Sequence, residues 1–234
     1  MSARVTTSGA PRNADQRRIQ RSCVTATHDG RRVLRTAAVG KTDAEWFERH
    51  GFAVVQHLVV LRRDLDDITS LLHHSPVADV EVSSHTFARR LARRADRAIG
   101  DALVALDGTG FGGDWQLTVD ALFHACRSTP THRVFVARQL GVDIAAPLGY
   151  AVVGVAYEAA YLQRLVVAPK HRGRRIATTL VVAGMSWART NGARRMLVNT
   201  EPDNSAALAL YRSLGFTTDA DGLVVLERDT SELS

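Results

Sequence analysis

The C-terminal half of the chain alternates between short apolar runs and segments with apolar residues at helical spacing. The apolar runs predict strands at 102–106, 133–138, 148–157, 195–200 and 223–228. The helical spacing predicts helices at 115–127, 174–190 and 203–213. A further strand contains Leu165, Val166 and Val167, and Pro169 ends it because proline cannot donate a ladder hydrogen bond. This order of elements predicts an α/β fold in which helices flank a mixed central sheet on both faces.

The N-terminal part of the chain shows a similar alternation over a shorter length. Residues Ser22 to Ala37 alternate around Asp29-Gly30, a dipeptide that favours a tight hairpin turn. A helix at 43–49 and a strand at 53–61 follow. Residues 67–99 contain several arginine pairs, and we expect them to form a basic linker with one helix. Residues 1–22 are rich in Ser, Thr, Arg and Asn, which predicts a disordered tail.

Residues 31–64 resemble residues 195–229 in the order of their side chains. Gly51-Phe52 aligns with Gly215-Phe216 at an offset of 164 residues, and the apolar runs that follow align after a one-residue gap. An apolar run alone would prove nothing. In register with a Gly-Phe pair that follows a helix, it indicates a duplicated strand–helix–hairpin unit.

The chain of 234 residues carries a formal net charge of +6, almost all of the positive charge being arginine. Such a charge suits an anionic small ligand, a nucleic acid or an acidic protein surface. The arginines of 89–97 could contact phosphates, but no aromatic residues alternate with them, so we expect an ordinary solvated helix and no nucleic-acid binding.

Cys23 and Cys126 are the only cysteines, so the sequence predicts neither a disulfide framework nor a metal-binding cluster. No apolar run is long enough to cross a membrane, and the N-terminus lacks the apolar core of a signal peptide. We therefore expect a cytoplasmic protein that binds no metal and no membrane.

A basic loop joins the strand at 165–167 to the helix that follows it. The loop contains His171, Arg172, Gly173, Arg174 and Arg175. The first turn of a helix has backbone N–H groups without intrahelical partners and lies at the positive end of the helix dipole. A glycine-containing basic loop before such a turn therefore predicts a binding site for phosphate groups.

The motifs around this loop resemble those of the GNAT superfamily of acyl-CoA-dependent N-acyltransferases. Members have a strand ending in V-x-P and a loop of the form Arg/Gln-x-x-Gly-x-Gly/Ala, which Val167-Ala168-Pro169 and Arg172 to Ala177 match. Members then have an asparagine, a tyrosine seven residues later, and Gly-Phe, which Asn204, Tyr211 and Gly215-Phe216 match. The spacing resembles that of the ribosomal-protein N-terminal alanine acetyltransferases. One residue departs from the pattern, because Arg175 stands where most members have glycine.

The resemblance covers about residues 100 to 229 and implies a catalytic domain at 100–234 that uses acetyl-CoA as cosubstrate. It implies that the loop binds the pyrophosphate through backbone N–H groups, and that the preceding strand and the motif asparagine contact the pantetheine arm. The implied coenzyme-binding residues are Leu165, Val166, Val167, Arg172, Gly173, Arg174, Arg175, Ile176, Ala177, Thr178, Asn204 and Tyr211.

Two catalytic residues follow from the resemblance. Tyr211 is the candidate general acid for the leaving thiolate, although it could instead be a buried packing residue. Glu201 is the candidate general base, because two residues after Asn199 it would project from the same face of a strand. Glu158 is a further candidate, and a chain of water molecules is the main alternative. Asn199 stands where the alanine acetyltransferases have their glutamate, and an amide cannot accept a proton at neutral pH. Trp115 could line the acceptor channel or could serve only as a packed aromatic anchor.

The repeat then resembles the arrangement of tandem-GNAT proteins. Residues 23–66, which we call the annex, correspond to the second half of a GNAT domain. Gly40 and Phe47 occupy the positions of Asn204 and Tyr211, and the annex has no phosphate loop. We therefore expect the annex to pack but not to catalyse.

Three functions are compatible with the sequence. The first is an N-acetyltransferase acting on a primary amine of a small molecule or of a peptide N-terminus. The second is a catalytically weak GNAT-fold protein that binds acyl-CoA, and the third is an interaction module. We expect a monomer or a homodimer.

Overall fold

The computed structural model describes residues 19, 23–28, 31–72, 77–87, 94–111, 115–141 and 146–230. The strands are β1 Cys23–His28, β2 Arg31–Thr36, β3 Ala53–Asp64, β4 Val80–His85, β5 Thr131–Gln139, β6 Gly149–Ala156, β7 Ala159–Val167, β8 Arg195–Thr200, β9 Thr217–Thr218 and β10 Leu223–Asp229. The helices are α1 Lys41–Glu48, α2 Thr69–Leu72, α3 Arg94–Asp107, α4 Val119–Cys126, α5 Ile176–Thr190 and α6 Ser205–Ser213, with a 3₁₀ turn at Pro169–His171.

The chain forms two compact units. The first contains Met1–Val60, Asn199–Ser205 and Thr218–Ser234, and the second contains Leu61–Val198 and Ala206–Thr217. Strand β3 begins in the first unit and ends in the second.

The first unit contains an antiparallel sheet with the strand order β1-β2-β10-β3. Strands β1 and β2 pair from Cys23–Thr36 to His28–Arg31, which confirms the hairpin predicted around Asp29-Gly30. Its core packs α1 against the sheet through large buried side chains. These are Leu34, Phe47, Phe52 and Leu226.

The second unit contains a mixed sheet with the strand order β8-β7-β6-β5-β4, in which β7 and β8 are parallel and the other pairs are antiparallel. Helices α3 and α4 cover one face, where their apolar side chains pack on Val134, Val152 and Val166. Helix α5 packs on the same strands through the alternate residues of the other face, including Val153 beside Gly184. The predicted α/β fold with a mixed sheet and helices on both faces is confirmed.

Two parts of the second unit differ from the sequence-based expectation. The predicted strand at 102–106 is wrong, because these residues lie inside α3. The run Ala-Leu-Val-Ala-Leu consists mainly of strong helix formers, and Leu103 and Leu106 are buried at helical spacing. Strand β4 lies inside the interval predicted as a linker and pairs with β5. The predicted tail, apart from Ile19, lies outside the described residues, as do residues 89, 90 and 93 of the arginine run.

The two repeats have closely similar local geometry. The order β2-α1-β3 recurs as β8-α6-β10, with the short strand β9 between α6 and β10. Strand β8 begins 164 residues after β2, and α6 begins 164 residues after α1. Gly51 has φ 78° and Gly215 has φ 77°, a left-handed conformation that glycine adopts without strain. This agreement is what a duplicated unit predicts, and the duplication and the domain boundaries both stay predictions.

The last strand of each repeat contacts the Gly-Phe turn of the other repeat through an arginine. In the second unit, Arg63 at the end of β3 lies with Nη1 3.4 Å from the Gly215 carbonyl oxygen. In the first unit, Arg228 in β10 donates from Nη1 to the His50 carbonyl at 2.9 Å and lies 4.8 Å over the Phe52 ring. Arg63 and Arg228 are aligned residues of the repeat, so the same position of each repeat contacts the Gly-Phe turn of the other.

Candidate active site

Strand β7 separates from β8 after the first third of its length. The parallel pairing runs from Ala159–Arg195 to Tyr161–Leu197, and β7 then continues to Val167 paired with β6 only. The register between β6 and β7 shifts where Val152 faces Arg164 and Val153 faces Leu162, which makes Gln163 the extra residue of a β-bulge. After the bulge, the edge of β7 that faces away from β6 therefore pairs with no described strand.

The basic loop follows directly from this strand. Gly173 has φ 76°, and Arg175, the residue before α5, has φ 62° and ψ 11°. The first hydrogen bond of α5 runs from the Thr179 N–H to the Arg175 carbonyl at 3.0 Å. The N–H groups from Gly173 to Thr178 donate to no residue that the structure describes. The loop thus presents a consecutive set of free donors at a helix start, which is the arrangement that binds phosphate.

The side chains of the loop add positive charge. Arg172 lies with Nε 3.4 Å from the Val167 carbonyl oxygen, and Arg174 lies with Nη1 3.2 Å from His171 Nδ1. Burial, Lys170 and Arg174 together lower the pKa of His171. Within the described part of the chain, Arg172, Arg174 and Arg175 form no ion pair with an acidic side chain. The loop is therefore suited to an anion from outside the protein.

Gly149 allows the start of α5 to approach β7 closely. A Cβ atom on Gly149 would lie 2.8 Å from the Val166 carbonyl oxygen and 3.2 Å from Ile176 Cγ2. The first turn of α5 can therefore pack directly on β6 and β7 at Gly149. This packing fixes the position of the loop between β7 and α5.

Tyr211 lies on α6 with 5% of its surface exposed, and its ring centroid is 5.6 Å from that of Phe216. Burial raises the pKa of Tyr211 well above its usual range, so the hydroxyl is protonated at neutral pH. The hydroxyl forms no hydrogen bond with any of the described residues. The ring of Tyr211 is therefore packed in the protein, and its role as a general acid stays a prediction.

Asn204 directly precedes α6 and donates its backbone N–H to the Glu201 carbonyl at 3.2 Å. The Glu201 side chain is exposed and accepts a hydrogen bond from Gln56 Nε2 at 2.5 Å. Both residues lie in the first unit. The contact with Gln56 could not be expected from the sequence, because 145 residues separate the partners.

A buried ion pair in the second unit was also not predicted. Asp107, the last residue of α3, is 0% exposed and accepts hydrogen bonds from Arg164 Nε at 2.8 Å and from the Tyr150 hydroxyl at 2.6 Å. A second guanidinium contact, from Arg164 Nη2 to Asp107 Oδ2, measures 2.5 Å. Burial alone would raise the pKa of Asp107, but the hydrogen bonds from Arg164, Tyr150 and the Leu117 N–H hold it below its usual range. Asp107 is therefore charged in the folded protein.

No three His, Cys, Asp or Glu side chains of the described residues are grouped so that they could hold a metal ion. Among the helices that the structure describes, none is both long and apolar enough to cross a membrane.

Comparison with known proteins identifies the family of this site. Residues 101–216 match the model of the acetyltransferase (GNAT) family. A mycothiol acetyltransferase of Renibacterium salmoninarum is 33% identical over 78 residues, which cover 33% of this chain and 21% of that protein. The N-alpha-acetyltransferase 30 of Schizosaccharomyces pombe is 38% identical over 56 residues, which cover 24% of this chain and 37% of that protein. The matched segments thus span only a small part of these relatives.

A solved structure agrees over more of the chain. A tandem GNAT protein from the clavulanic acid biosynthesis pathway is similar with a TM-score of 0.58 and 16% identity, over 92% of this chain and 68% of that one. At this identity the likeness concerns the fold alone. The family match, the diverging strand and the loop before α5 together show that this chain belongs, through residues 101–216, to the GNAT superfamily of acetyltransferases.

Proposed function

We propose that the protein transfers an acetyl group from acetyl-CoA to a primary amine of a small molecule or of a peptide N-terminus. The observation that carries this proposal is the loop from Gly173 to Thr178, whose backbone N–H groups have no partner among the described residues. Together with Arg172 and Arg174, these groups would bind the pyrophosphate of the coenzyme.

The edge of β7 after the bulge would bind the pantetheine arm. Backbone N–H groups between Leu165 and Val167 would hydrogen-bond the arm and polarise the thioester carbonyl. The amine nitrogen forms a bond to the carbonyl carbon and loses a proton, and the carbon–sulfur bond breaks to release coenzyme A. Holding the two substrates in line can by itself lower the barrier by several kcal/mol, about 7–11 in the most favourable systems.

Tyr211 would donate its proton to the sulfur as the carbon–sulfur bond breaks, and solvent would then restore the hydroxyl. The raised pKa keeps this proton in place at neutral pH but also makes the phenol a weak acid. Much of its contribution is therefore a hydrogen bond that strengthens while negative charge develops on the sulfur.

Glu201 is the proposed base that accepts the proton of the amine, because it lies two residues after Asn199, the family position of the base, and alternate residues of a strand project from the same face. The hydrogen bond from Gln56 fixes one carboxylate oxygen and leaves the other available as an acceptor. A chain of water molecules is the alternative route for this proton. Replacing Glu201 by glutamine distinguishes the two, since a lost base lowers turnover about 10²–10⁴-fold and a water route does not require the carboxylate.

A protein that binds acyl-CoA without turnover is the second candidate, which Asn199 favours because an amide stands at the family position of the base. Isothermal titration with acetyl-CoA, followed by an assay of coenzyme A release with amines, peptides and amino sugars, tests both. Binding with release supports the transferase, and binding without release from any acceptor supports the second candidate. If acetyl-CoA does not bind, both proposals are wrong.

A further inference from the structure

His171 belongs to the basic loop but is not among the coenzyme-binding residues that the family resemblance implies. It is the last residue of the 3₁₀ turn that follows β7. Its backbone N–H donates to the Ala168 carbonyl at 2.8 Å, which closes this turn. The turn therefore fixes the backbone of His171 two residues before Gly173, where the free N–H groups of the loop begin.

The contact between His171 and Arg174 shows which form of the ring is present. Arg174 Nη1 lies 3.2 Å from His171 Nδ1. A guanidinium nitrogen can only donate a hydrogen bond, so Nδ1 accepts this one and carries no proton. A protonated imidazole has an N–H group at both ring nitrogens and could not accept it. The ring is therefore neutral in this arrangement, with its proton on Nε2.

The charges around the ring favour the same neutral form. Burial, Lys170 and Arg174 together lower the pKa of His171 from its ordinary value of 6.5. Arg172 and Arg175 are two further cations of the same loop. Among the described residues, no acidic side chain forms an ion pair with this loop or acts on the pKa of His171. A neutral histidine thus lies on one loop with four cationic side chains.

A bound phosphate would reverse both effects. A phosphate oxygen can accept from Arg174 in place of Nδ1, which leaves that nitrogen able to take a proton. The negative charge also favours the protonated ring, because an opposite charge within about 4–6 Å raises the pKa of a histidine. The protonated ring would then donate a charge-assisted hydrogen bond to the same phosphate.

We propose that His171 is a ligand of the coenzyme pyrophosphate and takes up a proton from solvent when the coenzyme binds. The proton bonds to Nδ1, and no covalent bond of the coenzyme changes. This inference rests on the proposed acetyltransferase function and adds a ligand and a pH dependence to its coenzyme site.

The sign of the pH dependence follows from this proton uptake. The complex holds more protons than the free protein, so coenzyme affinity rises as the pH falls. The gain is complete below the pKa of His171 in the free protein, which lies under 6.5, and is lost as the pH rises through the higher pKa of the complex.

Calorimetry with dephospho-coenzyme A, in buffers of different ionisation enthalpy, tests the proposal. This probe keeps the pyrophosphate but lacks the 3′-phosphate, a monoester that would itself titrate near about pH 6. The wild type should bind the probe about three- to tenfold more tightly at about pH 5.5 than at about pH 8, with proton uptake.

Two glutamine variants assign this effect to one ring. His171→Gln keeps an amide oxygen that can accept from Arg174 but cannot titrate. It should bind the probe like the wild type at about pH 8 and show no gain at about pH 5.5. His124, an exposed histidine of α4, provides the control, and His124→Gln should keep the full pH dependence.

A second readout follows the ring itself by NMR. The ring C–H signals of His171, assigned by their loss in His171→Gln, should give a pKa below 6.5 that rises when the probe binds. Arg174→Gln removes a neighbouring cation, so it should raise the pKa of His171 in the free protein. Binding of the probe without proton uptake or a change in this pKa would overturn the proposal and leave the proposed function intact. If neither acetyl-CoA nor the probe binds, both are wrong.

Discussion

Replacing Arg175 by glycine should stabilise the protein. Arg175 adopts φ 62° and ψ 11°, the left-handed region, directly before α5. A residue with a Cβ atom is disfavoured there by about 1–2 kcal/mol. Glycine removes that strain but adds about 0.5–1 kcal/mol of backbone entropy to the unfolded chain. The net gain of about 0.5–1 kcal/mol corresponds to a rise in Tm of about 1–4 °C for a chain of this size.

Two variants separate the backbone effect from the charge. Arg175→Ala removes the guanidinium but keeps the Cβ atom, so it should not share the gain in Tm. Gly192 has φ 87°, and a Cβ atom added there would have no described atom within 4 Å. Gly192→Ala therefore measures the same balance of strain and backbone entropy without any change in charge, and it should lower the stability by about 0.5–1 kcal/mol. A fall in Tm for Arg175→Gly, with the expected loss for Gly192→Ala, would refute this reasoning.

Titration of Arg175→Gly and Arg175→Ala with acetyl-CoA measures how much the Arg175 side chain contributes to coenzyme affinity. The N–H groups from Gly173 to Thr178 are backbone groups and remain in Arg175→Gly, so the affinity should stay within about threefold of the wild type. A charge-assisted hydrogen bond to a phosphate is worth about 1.5–3 kcal/mol. A loss of affinity of more than about tenfold in both variants would therefore make Arg175 a phosphate ligand.

Three further predictions concern the coenzyme and the repeat. Tyr211→Phe keeps the ring packing but removes the proton, so it should lower turnover by about one to three orders of magnitude and leave acetyl-CoA affinity and Tm nearly unchanged. Full activity in this variant would show that Tyr211 is not the general acid. Gly173→Pro removes a donor and imposes a negative φ where the native value is 76°, so acetyl-CoA affinity should fall, and equal affinity would make the loop an ordinary turn. The annex lacks a phosphate loop, so calorimetry should give one acetyl-CoA per chain, and a stoichiometry of two would show that the annex is a second site.

Local patterns in the sequence predicted the elements that carry the candidate site. The loop before α5 could be found because glycine, arginines and a helix start lie within a few residues of one another. The hairpin at Asp29-Gly30 and the strand at 195–200 could be found for the same reason, since turn chemistry and alternation are properties of neighbouring residues. The left-handed conformation of Arg175 explains why glycine is usual at that position.

Contacts between distant residues could not be predicted. Asp107 and Arg164 are 57 residues apart, and neither has a neighbour in sequence that marks it as half of a buried pair. The prediction of a strand at 102–106 failed because a run of five Ala, Leu and Val residues fits a buried strand as well as a helix. In the structure these residues form a helix, with Leu103 and Leu106 buried on one side of α3. Which side is buried depends on the residues that pack against α3, and these are distant in sequence.

The contacts of Arg63 and Arg228 could not be predicted for the same reason. The repeats align residue by residue, so Arg63 and Arg228 are equivalent in the sequence, and nothing in the alignment says which Gly-Phe turn each one contacts. The geometry decides it: a Cβ atom on Gly215 would lie 2.6 Å from Arg63 Nη1, and one on Gly51 would lie 3.5 Å from Arg228 Cδ. The end of β3 also holds the second unit through the Leu65 N–H, which donates to the Arg194 carbonyl at 2.7 Å. Residues 61–65 therefore belong to the annex as the sequence defines it but to the second unit in the structure, which the sequence repeat alone could not indicate.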